Sequence, residues 1–333
     1  MAGLLPDGKP DRLAGSHAVV SGGAGFVGSW LCQRLLEAGA RVTCVDNLAT
    51  GRMDNLADVL DCPGFRFVEA DLAGDAVGEL AARIPGPVDW VLHLASPASP
   101  VAYARYPIET LRLGSVATLA LLDLARRAGA RFLLASTSEV YGDPAVHPQP
   151  ESYWGHVNPV GPRSMYDEAK RFAEAATVAS RRSDGTDATI ARIFNSYGPR
   201  MSSDDGRVIP TFVGQALAGE PLTVAGDGSQ TRSLCFVDDT VTGLLRLLLS
   251  THPGPVNIGS DEEISVLDLA EAVRSAAGSE SAVEFVPLPA DDPKRRCPDL
   301  SLAREVLQWS PTVPMEEGLR RTVAWFRDCR TRG

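Results

Sequence analysis

The sequence holds no apolar run near the roughly 18 to 20 residues that a membrane-spanning helix needs, so a soluble chain is expected. It also lacks a C-x-x-C pair. Cys32, Cys44, Cys62, Cys235, Cys297 and Cys329 are scattered, which argues against a disulfide framework and for reduced, packed thiols in a cytoplasm. The five histidines are equally dispersed, and no metal site is read from them. Positive charge is in deficit: 32 Lys and Arg stand against 42 Asp and Glu, a formal net charge of −10. That balance excludes broad binding to nucleic acid or to an acidic membrane, so an anionic ligand has to be held by locally gathered arginines. The first residues, MAGLLPDGKPDRLAGS, have neither the basic start nor the unbroken apolar core of a secretory signal, and 1–15 read as a loose lead-in.

What is present is ample core. With 333 residues and 44% hydrophobic content, the length favours one large α/β unit with an added lobe, or two domains sharing a cleft. Apolar runs of strand length recur at HAVV (from 17), RVTCV (from 41), FRFV (from 65), WVLHL (from 90), RFLLA (from 131) and ATIARI (from 188). They do not alternate, and helical patterns at 26–39 and 109–129 fall between them. Continuous apolar strands separated by helices predict a parallel sheet buried on both faces, a doubly wound Rossmann-type α/β fold. After about residue 195 the pattern changes to helices and Gly/Pro-rich loops, which predicts a smaller mixed α/β substrate-binding lobe. Residues 235–250 and 255–259 read as chain returning to the first domain. The expected division is therefore discontinuous, 1–194 plus 234–262 for the dinucleotide domain and 195–233 plus 263–333 for the lobe.

VVSGGAGFVGSWL places Gly22, Gly25 and Gly28, with Phe26 and Val27 between them, directly after the first strand and at the start of the first helix. Such glycines allow a tight turn and close approach of backbone N–H groups to a pyrophosphate, whose charge suits a helix N-terminus. CVDNL then ends the second strand with Asp46 and Asn47, about 20 residues on, where a carboxylate accepts from adenosine ribose hydroxyls. A carboxylate there repels a 2′-phosphate, which favours NAD over NADP, although Arg52 is close by. Asp71 and Leu72 in EADL, and Leu94, Ala95 and Ser96 in HLAS, end the next two strands on the same edge.

SMYDEAKRFAEAA sets Tyr166 and Lys170 four apart at the start of a helix, on one face. A lysine there can lower the phenol's pKa and hold the nicotinamide ribose, so that Tyr166 serves as base towards a substrate hydroxyl. Together with the glycine motif, these residues resemble the extended short-chain dehydrogenase/reductase family of nucleotide-sugar enzymes, and the resemblance covers nearly the whole chain. Within it, HLASPASP, STSEVYGD, YWGHVNPVGPRSMYDEAKR, ARIFNSYGPRM, DGRVIPTF and GDGSQTRSLCFVDD are similar to the UDP-glucuronate decarboxylases.

What the resemblance implies turns on a triplet. Related 4,6-dehydratases carry Thr-Asp-Glu where this chain has Thr137, Ser138 and Glu139, and 4-epimerases carry Ser-Ser and a small or apolar residue. Ser138 cannot act as the acid for water loss, while Glu139 stays as a polar group near the sugar's C5. That combination suits decarboxylation. Arg232 is implied to hold the substrate carboxylate or to act in protonation. Asn195, Arg207, Gln230 and Arg296 match positions that contact the diphosphate and uridine, and Pro97, Tyr103, Val208 and Phe212 complete the implied substrate set. Gly114 departs from the pattern, standing where the family commonly has an asparagine that supports a proton-relay water. The helices from 109 and 166 are implied to pair across a twofold axis as the four-helix bundle of a homodimer. A 4-epimerase or 4,6-dehydratase on the same scaffold and a non-catalytic NAD(H) sensor are the alternatives; the triplet disfavours the first two, and the retained Tyr166 and Lys170 the third.

Overall fold

The computed structural model describes residues 12–74, 79–287 and 295–332; residues 1–11 of the expected lead-in lie outside the described residues. The six apolar runs form β1 (His17–Ser21), β2 (Arg41–Asp46), β3 (Phe65–Glu69), β4 (Trp90–His93), β5 (Arg131–Thr137) and β6 (Ala188–Ile193). With Val256–Ile258 they make a seven-stranded sheet, ordered from that last strand through β6, β5, β4, β1 and β2 to β3, all pairs parallel. This is the doubly wound fold that the continuous apolar strands predict.

Burial on both faces explains why the strands do not alternate. Val20, Cys44, Leu92 and Leu133 pack on one side with Leu31 and Leu35 of α1 (Phe26–Glu37). Val19, Val45, Val91, Phe132 and Leu134 pack on the other with Leu121 and Leu122. Each such side chain contributes about 1.5–3 kcal/mol by leaving water. The sheet is thereby held rigid beneath the loops at its edge.

The single helix expected over 109–129 is broken. Pro107–Arg112 and Thr118–Ala128 are α-helical, but Leu113–Ala117 between them is a π turn. Two features account for it. Leu113 O accepts from Thr118 Oγ1 at 3.1 Å and from His93 Nε2 at 3.2 Å, so side chains take up a carbonyl that the α-ladder does not. Gly114 lies against the long helix Ser164–Asp184, where a Cβ would come 2.5 Å from Ala169 O.

The remaining elements gather to one side of the sheet edge. Helix Val208–Ala218 packs with helices Val266–Ala277 and Met315–Arg332, and short strand pairs join 222–225 to 283–286 and 231–233 to 263–265. Among the described residues no helix is long and apolar enough to cross a membrane.

Candidate active site

The C-terminal ends of β1 and β4, where the strand order reverses, open into a cavity of about 1010 Å³. Every residue that the sequence singled out for cofactor, substrate or catalysis lines this one cavity.

At one end the wall is mostly backbone. Gly22 has φ +74°, and a Cβ on it would come 2.6 Å from Ala95 N, so the turn after β1 needs glycine both for its conformation and for its contact with the β4 loop. Asp46, buried, accepts from Ala24 N at 3.0 Å and from Leu48 N at 2.9 Å. Burial raises its pKa, while the N–H groups of Leu48, Ala24 and Asn47 pull the other way. The carboxylate is thus tied to the glycine turn and fixed in direction. Asn47 Nδ2 donates to Asp71 Oδ1 at 3.2 Å, and Arg52 on the rim pairs with Asp54 at 3.4 Å. Phe26, Val27, Gly25 and Gly28 on the helix side, and Leu72, Leu94 and Ser96 at the strand ends, complete this wall.

In the middle, Thr137 is the last residue of β5, and its hydroxyl shares a hydrogen bond with the Tyr166 phenol. Ser138 and Glu139 begin a 3₁₀ turn directly after it, with Thr137 Oγ1 accepting from Glu139 N at 3.2 Å. Tyr103 stacks on Tyr166 with centroids 5.1 Å apart. Lys170 Nζ donates to Ala135 O at 2.8 Å and lies 5.8 Å from the Tyr166 ring centre. Burial pushes Tyr166 well above its ordinary value, against the Thr137 hydrogen bond, and Lys170, itself buried, is lowered to about 8. Below the pair, His93 sits between Ser21 Oγ at 2.8 Å and Leu113 O; burial, with the Lys170 charge, lowers it to about 3, so it is neutral. Since a carbonyl only accepts, Nε2 carries the proton.

At the far end the wall is charged. Glu139 pairs with Arg163 at 2.9 Å and with Arg296, and Arg296 also donates to Gly142 O at 3.1 Å. Burial works to raise the Glu139 carboxyl, but Arg296 and Arg163 outweigh it and hold the group below the usual range. It is therefore ionised and can accept hydrogen bonds but not donate one. Arg207 forms a two-bond pair with Asp205, Gln230 Nε2 donates to Ala225 O at 2.8 Å, and Arg232 Nη1 donates to Thr231 O at 2.8 Å. Asn195, Pro97, Val208 and Phe212 fill the spaces between. Arg296, expected among the diphosphate and uridine contacts, is held in this structure by Glu139.

Sequence reasoning passed over Arg163 and Asp205. The signal for Arg163 was present, three residues before Tyr166 on the turn into the same helix; for Asp205 there was none beyond its place two before Arg207.

The sequence signature of the NAD dependent epimerase/dehydratase family matches residues 18–259. A "UDP-glucuronic acid decarboxylase 1" of Danio rerio is 48% identical over 308 residues, 92% of this chain and 72% of that protein. A "UDP-glucuronic acid decarboxylase 4" of Arabidopsis thaliana is 50% identical over 325 residues, 98% of this chain and 71% of that one. A dTDP-glucose 4,6-dehydratase from Streptomyces venezuelae, solved with NAD bound, superposes with a TM-score of 0.84 at 30% identity, covering 95% of this chain and 98% of the other.

Proposed function

The chain belongs to the NAD dependent epimerase/dehydratase family, and from that premise we propose that it is a carboxy-lyase converting UDP-glucuronate to UDP-xylose through a 4-keto intermediate. The observation that carries the reading is the Thr137-Ser138-Glu139 end of β5, which sets a hydroxyl and an ionised carboxylate beside Tyr166, with Ser138 where a dehydratase carries its acid. The cleft fits NAD: a turn without side chains leaves backbone room for a pyrophosphate, and Asp46 is aimed for ribose hydroxyls. The Gly22 turn and Asp46 would hold NAD, which would supply a reversible hydride acceptor for C4 of the sugar.

The chain's own residues supply the proton transfers and the positioning. Tyr166, acting as the phenolate beside the Lys170 ammonium, takes the proton of the C4 hydroxyl with Thr137 relaying it, and so becomes the phenol. With C4 a ketone, the C5 carboxylate is β to a carbonyl; the C5–C6 bond breaks, CO2 leaves, and the bonding pair becomes an enolate. A proton then adds at C5. Glu139, ionised, orients the ring or a water that delivers this proton, and Arg232 holds the carboxylate or assists protonation. Arg207, Arg296, Gln230 and Asn195 gather donors for a diphosphate that an acidic chain must otherwise repel.

Incubation with UDP-glucuronate and NAD is expected to release CO2 and leave a UDP-pentose. A uronate of unchanged mass would assign a 4-epimerase instead, and water loss from a UDP-hexose would assign a 4,6-dehydratase. The same reading includes a homodimer. Ile108, Leu111, Leu119 and Phe172 are exposed on the helices at 107–128 and 164–184, and pairing these faces about a twofold axis would cover them as a four-helix bundle. Sedimentation at the mass of one chain only would count against it. The six free thiols support a reducing, cytoplasmic location.

A further inference from the structure

Away from the catalytic residues, the fold brings together three side chains that the sequence leaves 34 to 150 positions apart. His147 comes from the loop after β5, Glu263 from the strand Glu263–Ser265, and Cys297 from the segment after Arg296. One nitrogen, one carboxylate oxygen and one sulfur lie within 4.8 Å of one another, the only such group among the described residues. His147 Nε2 is 2.9 Å from Glu263 Oε2. The other carboxylate oxygen, Oε1, accepts from Thr231 Oγ1 at 2.6 Å, which fixes the rotation of the group and leaves Oε2 turned to the histidine. The Cys297 thiol is buried, with long contacts of 3.6 Å to Asp261 O and 3.9 Å to Pro298 O and a hydrogen bond with the Ser233 side chain.

From this arrangement we propose that His147, Glu263 and Cys297 form a binding site for a thiophilic divalent cation of the Zn²⁺ class. Imidazole, carboxylate and thiolate are the donors such an ion takes, and three protein ligands leave the fourth tetrahedral position to water. The thiolate selects against Mg²⁺ and Ca²⁺, which prefer an all-oxygen set. Thr231 supplies the outer hydrogen bond that orients a metal-bound carboxylate. The ion needs ligand atoms drawn in from their present separation. Arg295, exposed and 3.7 Å from Glu263 Oε2, gives up that contact as the ion enters.

The position gives the site a consequence. Glu263 pairs across the short sheet with Ser233, next to Arg232, and Cys297 follows Arg296 directly. An ion joining Glu263 to Cys297 ties the strand paired with Arg232's own to the segment that carries Arg296, so occupancy braces one wall of the cleft whatever reaction the cleft performs.

The test uses the full chain, freed of metal by chelator and then titrated with Co²⁺ and Zn²⁺. One equivalent of Co²⁺ is expected to produce sulfur-to-cobalt charge-transfer absorption in the near ultraviolet, and Zn²⁺ to abolish it and raise the melting temperature. Cys297→Ser should remove the absorption and weaken Zn²⁺ binding by more than about 100-fold, beyond the cost of losing an outer-shell partner. His147→Ala should weaken binding while keeping the sulfur band at saturating Co²⁺. Cys329→Ser, at an exposed thiol elsewhere, should change neither. Melting curves of the metal-free variants that match the metal-free wild type establish that they fold. A band that survives Cys297→Ser, a band lost in Cys329→Ser, or no binding of either ion overturns the proposal.

Discussion

The two ends of the cleft are built on different principles. The end at β1 and β2 is made of backbone: a glycine turn, strand termini, and one carboxylate with one oxygen tied to an N–H of that turn and the other to the N–H of Leu48 after β2. The end around Glu139 is made of side-chain charge, with Arg163, Arg296, Arg207 and Asp205 already paired among themselves. A backbone wall is ready for its ligand without rearrangement. A wall of ion pairs has to exchange partners, and each arginine that turns to an anion leaves a carboxylate behind. On the proposed function, preorganisation favours the dinucleotide end, and selectivity between sugars is expected at the charged end.

Between the two stands the phenol. Tyr166→Phe is expected to lower kcat by about 10³-fold, within the range for a lost acid–base group, while NAD and UDP still bind; binding lost along with turnover would show that the phenol serves structure at both ends. Glu139→Gln should strike the charged end alone. We expect kcat to fall by about 100-fold with little change in UDP affinity. The chain should also be destabilised, because Arg163 and Arg296 lose a buried counter-charge. Equal kcat in variant and wild type would remove Glu139 from the chemistry.

Gly22→Ala should strike the backbone end alone. Forcing a Cβ into a left-handed residue costs about 1–2 kcal/mol before the contact with Ala95 is counted, so NAD affinity should drop by more than about tenfold. Saturating NAD should restore kcat, and a persistent kcat defect would blur the division between the ends. The smallest effect is a pH limb. Lys170 is charged below its pKa of about 8 and loses that charge as pH rises through it, so kcat/KM should decline on the alkaline side, about tenfold per pH unit. Lys170→Arg, which cannot lose its proton there, should flatten the limb; a limb unchanged in that variant assigns it to another group.

The same contrast governs what could be read from the sequence. The strands, the glycine turn, Asp46 and the Tyr166–Lys170 spacing were legible because each rests on local periodicity or on a short motif whose geometry follows from its own residues. The Glu139–Arg296 pair was not, since 157 positions separate its members and only the folded lobe closes the distance. Nor was the break at 113–117: the apolar pattern runs through it, and the hydrogen bond that stabilises it comes from His93 on another element. His147, Glu263 and Cys297 looked dispersed for the same reason.

Gly114 sets how closely two helices can approach. The helix carrying it now rests so near Ala169 that no side chain fits between them, and the neighbouring turn has settled into that proximity. An asparagine placed at 114 would wedge apart the helix that bears Tyr166 and Lys170. Two of the three atoms it would meet belong to the Ala169 backbone, so trimming that neighbour's side chain would not make room, and any side chain at 114 is paid for in the placement of the phenol and the ammonium.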